Sequence, residues 1–236
     1  MLGIVVQLAI SWLIIWLVEK NDLRVLGFFP TRRRSIDFAL FFIITAFCCA
    51  SGFILQTLFS NRQWMLNPEL TGALLLEGIL WNVKSVLYEE LIFRGVILYI
   101  LIKKFGHSKA IVISAIAFGI YHWFSFGAFG NIPQMTFIFV STGVMGLLLA
   151  YAYSKTLSLY IACAIHFGWN FTHMFMFSQG SIGNGILIPV PNEPFRTNSY
   201  FTFFGVMFFP VVSVLLINYL LLKRRKQVPV TVYDRK

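Results

Sequence analysis

Eight ionisable side chains lie inside long apolar stretches of this chain: Glu77, Lys84, Glu89, Glu90, Arg94, His122, His166 and His173, with the amides Asn82 and Asn170 beside them. At bilayer depth an ionisable group costs roughly 2.5–3.5 kcal/mol on insertion scales, so each needs a partner or a task. Spacing sorts them. Glu90 and Arg94 stand at i and i+4, as do His166 and Asn170, so each pair shares one helix face. Counted inward from Lys103, Ser108 and Thr156 at 1.5 Å per residue, Glu89, His122 and Asn170 each lie about 21 Å along their helices. Three helices therefore offer polar groups at one level. Two carboxylates, two histidines and an amide form the set that water activation requires. A carboxylate shielded from water gains basicity, an arginine keeps a companion carboxylate charged, and imidazole and amide donors stabilise the oxyanion of a tetrahedral intermediate.

Each feature taken singly has a plainer explanation. Glu90 with Arg94 serves equally well as a structural ion pair, and a membrane histidine such as His122 as a helix-to-helix hydrogen-bonding group. His173, one turn beyond Asn170, reads as a packing or boundary residue, and Glu77 with Lys84, at i and i+7, as an interfacial face. His107 sits in a basic loop and is assigned no role. A nucleophilic mechanism fits worse. Ser114 precedes His122 by eight residues on the same helix, about 12 Å along the axis, too far for direct activation. Cys163 shares its span with His166 and Asn170, and does not form a separate nucleophile and base.

The elements that must position these groups are membrane helices. The chain has 236 residues, 58% of them hydrophobic, 17% aromatic and only 12% charged, with a mean hydropathy of +0.77. That charged share is about half the usual value for a soluble domain, and one core of this size cannot hide so much apolar surface from water. Six apolar runs are long enough to cross about 30 Å of hydrocarbon: Leu2–Val18, Asp37–Phe59, Ser108–Phe126, Pro133–Tyr153, Leu157–Phe177 and Tyr200–Leu222. A more polar stretch, Leu70–Ile102, carries the carboxylates. Met1–Val18 has no basic leader and no cleavage pattern, and is read as a span rather than a signal peptide.

Basic residues cluster after the first span (Lys20, Arg24, Arg32–Arg34), after Ile102 (Lys103, Lys104, Lys109) and at the carboxyl end (Lys223–Lys226). The positive-inside rule makes these segments cytoplasmic and leaves the loops around Arg62, Gly127–Ile132 and Gln179–Ser199 outside. Parity then requires Leu70–Ile102 to cross once. The expected fold class is all-α: a polytopic membrane helical bundle of about seven to eight transmembrane helices. Residues 1–225 form one domain with its motif-bearing core at about 70–177, and 226–236 form a short cytoplasmic tail. Cys48, Cys49 and Cys163 offer no disulfide framework. The net charge of +10 is topology signal with attraction to anionic headgroups, and implies no nucleic-acid partner.

Glu89-Glu90-Leu91-Ile92-Phe93-Arg94-Gly95 fits EExxxRG, Phe118 through His122 fits FxxxH, and His166 through Asn170 fits HxxxN. In this order, on successive apolar helices, the motifs resemble those of the CPBP family, also called Abi, which comprises the type II CAAX prenyl endopeptidases and their bacteriocin-processing and immunity relatives. The resemblance implies an intramembrane endopeptidase. In it Glu89 and His122 position and deprotonate the attacking water, and Glu90 pairs with Arg94 to orient the site. His166 and Asn170 stabilise the oxyanion, Phe118 packs beside His122, and Gly95 allows close helix approach. The family is often labelled metalloprotease, and Glu89, His122 and His166 are candidate zinc ligands. HExxH is absent and asparagine is a poor zinc ligand, so a metal-free mechanism with no required cofactor is favoured. The expected partners are the lipid bilayer and a peptide or membrane-protein substrate cut in the cytoplasmic half of the membrane, and the expected location is the cytoplasmic membrane of a bacterium. Competing readings are a non-proteolytic scaffold or bacteriocin self-immunity protein, and a small proton-coupled transporter.

Overall fold

The computed structural model describes residues 2–60, 62–178, 185–190 and 195–229. Its main elements are the helices α1 (Leu2–Glu19), α2 (Arg32–Phe59), α3 (Gly72–Phe93), α4 (Val96–Phe105), α5 (His107–Ser125), α6 (Ile132–Thr156), α7 (Leu159–Asn170) and α8 (Tyr200–Lys223). Two short strands, β1 (Gln63–Leu66) and β2 (Leu187–Val190), pair antiparallel. The fold is the all-α helical bundle that the apolar runs predict, with this small ribbon added. By length and composition α1, α2, α6 and α8 are able to cross a membrane. Their outward residues are apolar, as at Leu2, Phe47, Phe137 and Phe201, which in water would be an aggregation surface and in lipid is solvated. The motifs begin on α3, α5 and α7, the first running past the end of α3 to Gly95, and the protein is an integral membrane protein.

The chain divides into two compact units, Met1–Phe38 with Leu87–Cys163 and Leu221–Lys236, and Ala39–Val86 with Ala164–Leu220. In the first, α5 lies close against α6 because small residues face it: a Cβ on Gly119 would stand 2.8 Å from the Phe139 ring, and one on Gly146 3.1 Å from the ring of Phe118. Close backbone approach of this kind is how membrane helices gain packing energy without a hydrophobic driving force. The amino end of α6 is capped by Asn131, whose side chain accepts from the Gln134 N–H, with a proline in the first turn. At the opposite end Arg225 makes two 2.7 Å hydrogen bonds to Asp37, Gln227 donates to the Ser154 carbonyl, and the Val228 N–H bonds the Lys155 carbonyl. The expected tail thus begins as docked chain, and its residues 230–236 lie outside the described residues.

In the second unit, Phe53 stacks on Phe177 with ring centres 4.3 Å apart, and Trp64 meets both edge-on. Pro210 inside α8 packs against Gly52 of α2. The ribbon runs Gln63↔Val190 to Leu66↔Leu187. Asn67 extends it: its N–H donates to the Ile186 carbonyl and its side-chain amide to Gly185. Of the expected outer loop Gln179–Ser199, residues 179–184 and 191–194 lie outside the described residues.

The stretch expected to cross once, Leu70–Ile102, is two helices. α3 ends at Phe93 and α4 starts at Val96. The break is local chemistry: Gly95 has φ −82° and ψ −136°, and a Cβ there would lie 2.1 Å from the Leu91 carbonyl oxygen. The glycine of EExxxRG therefore ends a helix, a different job from the helix-to-helix approach expected of it.

Candidate active site

Glu89 and Glu90 sit in the last turns of α3. Adjacent helical residues point about 100° apart, so the two carboxylates meet different partners. Glu90 faces Arg94 one turn on, at 3.1 Å, with both side chains 0% exposed. The Arg94 guanidinium stands over the Phe118 ring at 4.1 Å and near that of Phe93 at 5.8 Å, and its Nη2 points to the Gly146 carbonyl at 3.5 Å. A planar, weakly hydrated cation suits such a slot between rings. Phe93 and Phe118 meet edge to face, 5.1 Å between centres.

Glu89 turns instead to α5. Its Oε2 lies 3.8 Å from His122 Nε2, with the side chains 14% and 12% exposed. The other ring nitrogen, Nδ1, is 2.8 Å from the Phe118 carbonyl. A carbonyl only accepts, so Nδ1 carries the proton in the neutral ring and Nε2 presents a lone pair. Two acceptors thus face each other beyond direct hydrogen-bond reach. A water lying between them can give one hydrogen to each and keep its own lone pairs for attack. Phe118, Tyr121 and Phe126 stand around the imidazole with ring centres 4.4, 5.4 and 5.9 Å away, which fixes the ring and limits bulk water.

His166 and Asn170 belong to the second unit. They are 6% and 8% exposed, one turn apart on α7, which passes after Asn170 into a π-helical turn, Phe171–Met176. His173, in that turn, stacks on Trp169 and tilts against Phe53, the packing role its position predicts. Glu77 and Lys84 are exposed, and Asn82 is buried with its amide on the Gly78 carbonyl. His107 holds Ser154 Oγ at 2.7 Å, so it has a structural partner that the sequence did not disclose. The aromatic slot for Arg94 and the Gly146 carbonyl were likewise missed: Phe118 was marked by its motif, whereas nothing marks one glycine carbonyl in an apolar run. Among the described residues no three His, Cys, Asp or Glu side chains are grouped to hold a metal ion.

A carboxylate and an imidazole face each other across 3.8 Å inside a helical membrane protein. Residues 69–172 match the family model described as "Type II CAAX prenyl endopeptidase Rce1-like". That segment, a little under half of the chain, contains all three motifs, and its match supports the CPBP, or CAAX-protease, family. The match supports a CAAX-protease-like membrane endopeptidase at the level of the family. Comparison with the curated proteins and with the solved structures gave no match.

Proposed function

We propose that this protein hydrolyses peptide bonds of membrane-embedded or membrane-bound peptides with a water activated between Glu89 and His122. The observation that carries the reading is the facing of Oε2 and Nε2 at 3.8 Å, with the imidazole tautomer held by the Phe118 carbonyl. Glu89 takes the water proton as hydroxide attacks the scissile carbonyl, and passes it to the leaving amine as the tetrahedral intermediate collapses. Glu90 and Arg94 hold the last turn of α3 in orientation. His166 and Asn170 are assigned the oxyanion from their motif, the Asn170 amide being a donor of the right type. His122 stands fifteen residues along α5 from His107, about 22 Å. That agrees with the depth of about 21 Å counted from Ser108, and the substrate is taken to be cut near the cytoplasmic half of the membrane. The substrate is a peptide or membrane protein, and the mechanism requires no metal.

The experiment is cleavage of a panel of membrane-peptide reporters by purified wild type, Glu89→Ala and His122→Ala, each with and without a strong chelator. Cleavage that is abolished in both variants and resistant to chelator is expected. Loss with chelator and recovery with zinc would replace the metal-free mechanism by a metal-dependent one, and an active Glu89→Ala would end the proposal.

A further inference from the structure

Ser114 is too far from His122 to be its nucleophile, yet it is 4% exposed and its hydroxyl donates to the Phe93 carbonyl at 2.9 Å. Phe93 is the last residue of α3. In an uninterrupted helix its carbonyl would accept from the N–H four residues on, but the turn at Gly95 breaks the ladder there. Orphan carbonyls at a buried helix end need a substitute donor. Here the donor comes from a different helix, the one that carries His122.

Two consequences follow from where the residues stand. On α3, Glu89 lies one turn before Phe93; on α5, Ser114 lies eight residues before His122. The Ser114 bond and the Glu89–His122 facing are therefore two rungs between the same pair of helices. The first is a hydrogen bond at 2.9 Å; the second is a facing of carboxylate and imidazole at 3.8 Å. Resting on the hydrolytic reading above, we infer that Ser114 is a positioning residue that fixes the end of α3 against α5 and thereby sets the gap between the Glu89 carboxylate and His122. Its hydroxyl touches no reacting atom. Its effect is carried through the Phe93 carbonyl and one helical turn of α3.

The test has two arms. In a chain with Cys48, Cys49 and Cys163 replaced by alanine, cysteines are placed at 89 and 122 and joined by a short bifunctional methanethiosulfonate, with residue 114 as Ser, Ala or Thr. Cross-linking is expected to fall severalfold in Ser114→Ala and to return in Ser114→Thr, which keeps the hydroxyl. This arm needs no activity, so it decides the pinning even if the chain cleaves no reporter and the hydrolytic reading fails. In the second arm, with the native Glu89 and His122, Ser114→Ala is expected to lower kcat on the order of tenfold with KM unchanged, because small misplacements of catalytic groups are costly, and Ser114→Thr to restore it. Cross-linking unchanged in Ser114→Ala would overturn the proposal. So would weakened cross-linking with full kcat, since the bond would then only cap a helix. If Ser114→Thr fails to fold, Ser114→Ala against wild type still decides by the same readings.

Discussion

Two ion pairs in the first unit are built on opposite plans. Asp37 and Arg225, 14% and 21% exposed, join through two 2.7 Å hydrogen bonds in the side-by-side fork that guanidinium and carboxylate prefer. Glu90 and Arg94, at 0%, meet at 3.1 Å, and the Arg94 Nε makes no hydrogen bond. The better geometry is at the wetter site. A pair chosen for stability alone would show the reverse, because desolvation costs several kcal/mol per ion and is offset only when the contacts are excellent. In the proposed mechanism the buried pair serves orientation: it holds Arg94, just past the end of α3, against the rings of Phe93 and Phe118 and beside the carboxylate that faces His122.

The sharpest contrast is between these pairs and Glu89 itself. Glu89→Gln should abolish reporter cleavage, by on the order of a thousandfold or more for loss of the base, while thermal unfolding in detergent moves little. Arg94→Ala should do the opposite first, lowering unfolding stability by about 3–5 kcal/mol because Glu90 is left buried without its cation; Arg94→Lys should not rescue it, since an ammonium cannot lie flat between two rings. Replacing both partners with apolar residues, Glu90→Leu with Arg94→Met, should recover most of that stability and none of the activity. Recovery of cleavage in this double variant would break the comparison. Asp37→Asn should cost about 1 kcal/mol, fade as salt is raised, and leave kcat unchanged; a kcat loss would mean the edge pair also positions the site.

Much of this was legible in the chain. The helices α1, α2, α6 and α8 follow from unbroken apolar runs, the juxtaposition of Glu90 with Arg94 from helical spacing, and that of Glu89 with His122 from the motif resemblance. What escaped was decided by single atoms. The end of α3 lies within Leu70–Ile102, where apolar residues resume directly after Arg94 and Gly95, so periodicity gives no boundary; the clash a side chain would make at Gly95 marks it. Ser114 was dismissed as a nucleophile on a distance along its own helix, when its partner was a carbonyl on another. The ribbon was invisible because each strand has four residues, and neither alternates strongly enough to announce a partner more than a hundred positions away.

That ribbon also orders events in time. Met65 pairs with Ile188, and α3 through α7 lie between them in the chain, so the ladder cannot close until all five helices have been synthesised and inserted. Loop closure over such a span is an entropic debt met late, and contacts of this sequence separation are the slow ones in folding. Asn67, Ser178 and Gly185 join the same closure through side-chain bonds. A newborn chain halted before Leu187 therefore already contains Glu89 and His122 while this clasp is open, and the ribbon is a late step of assembly, followed by α8 and the Arg225–Asp37 bonds.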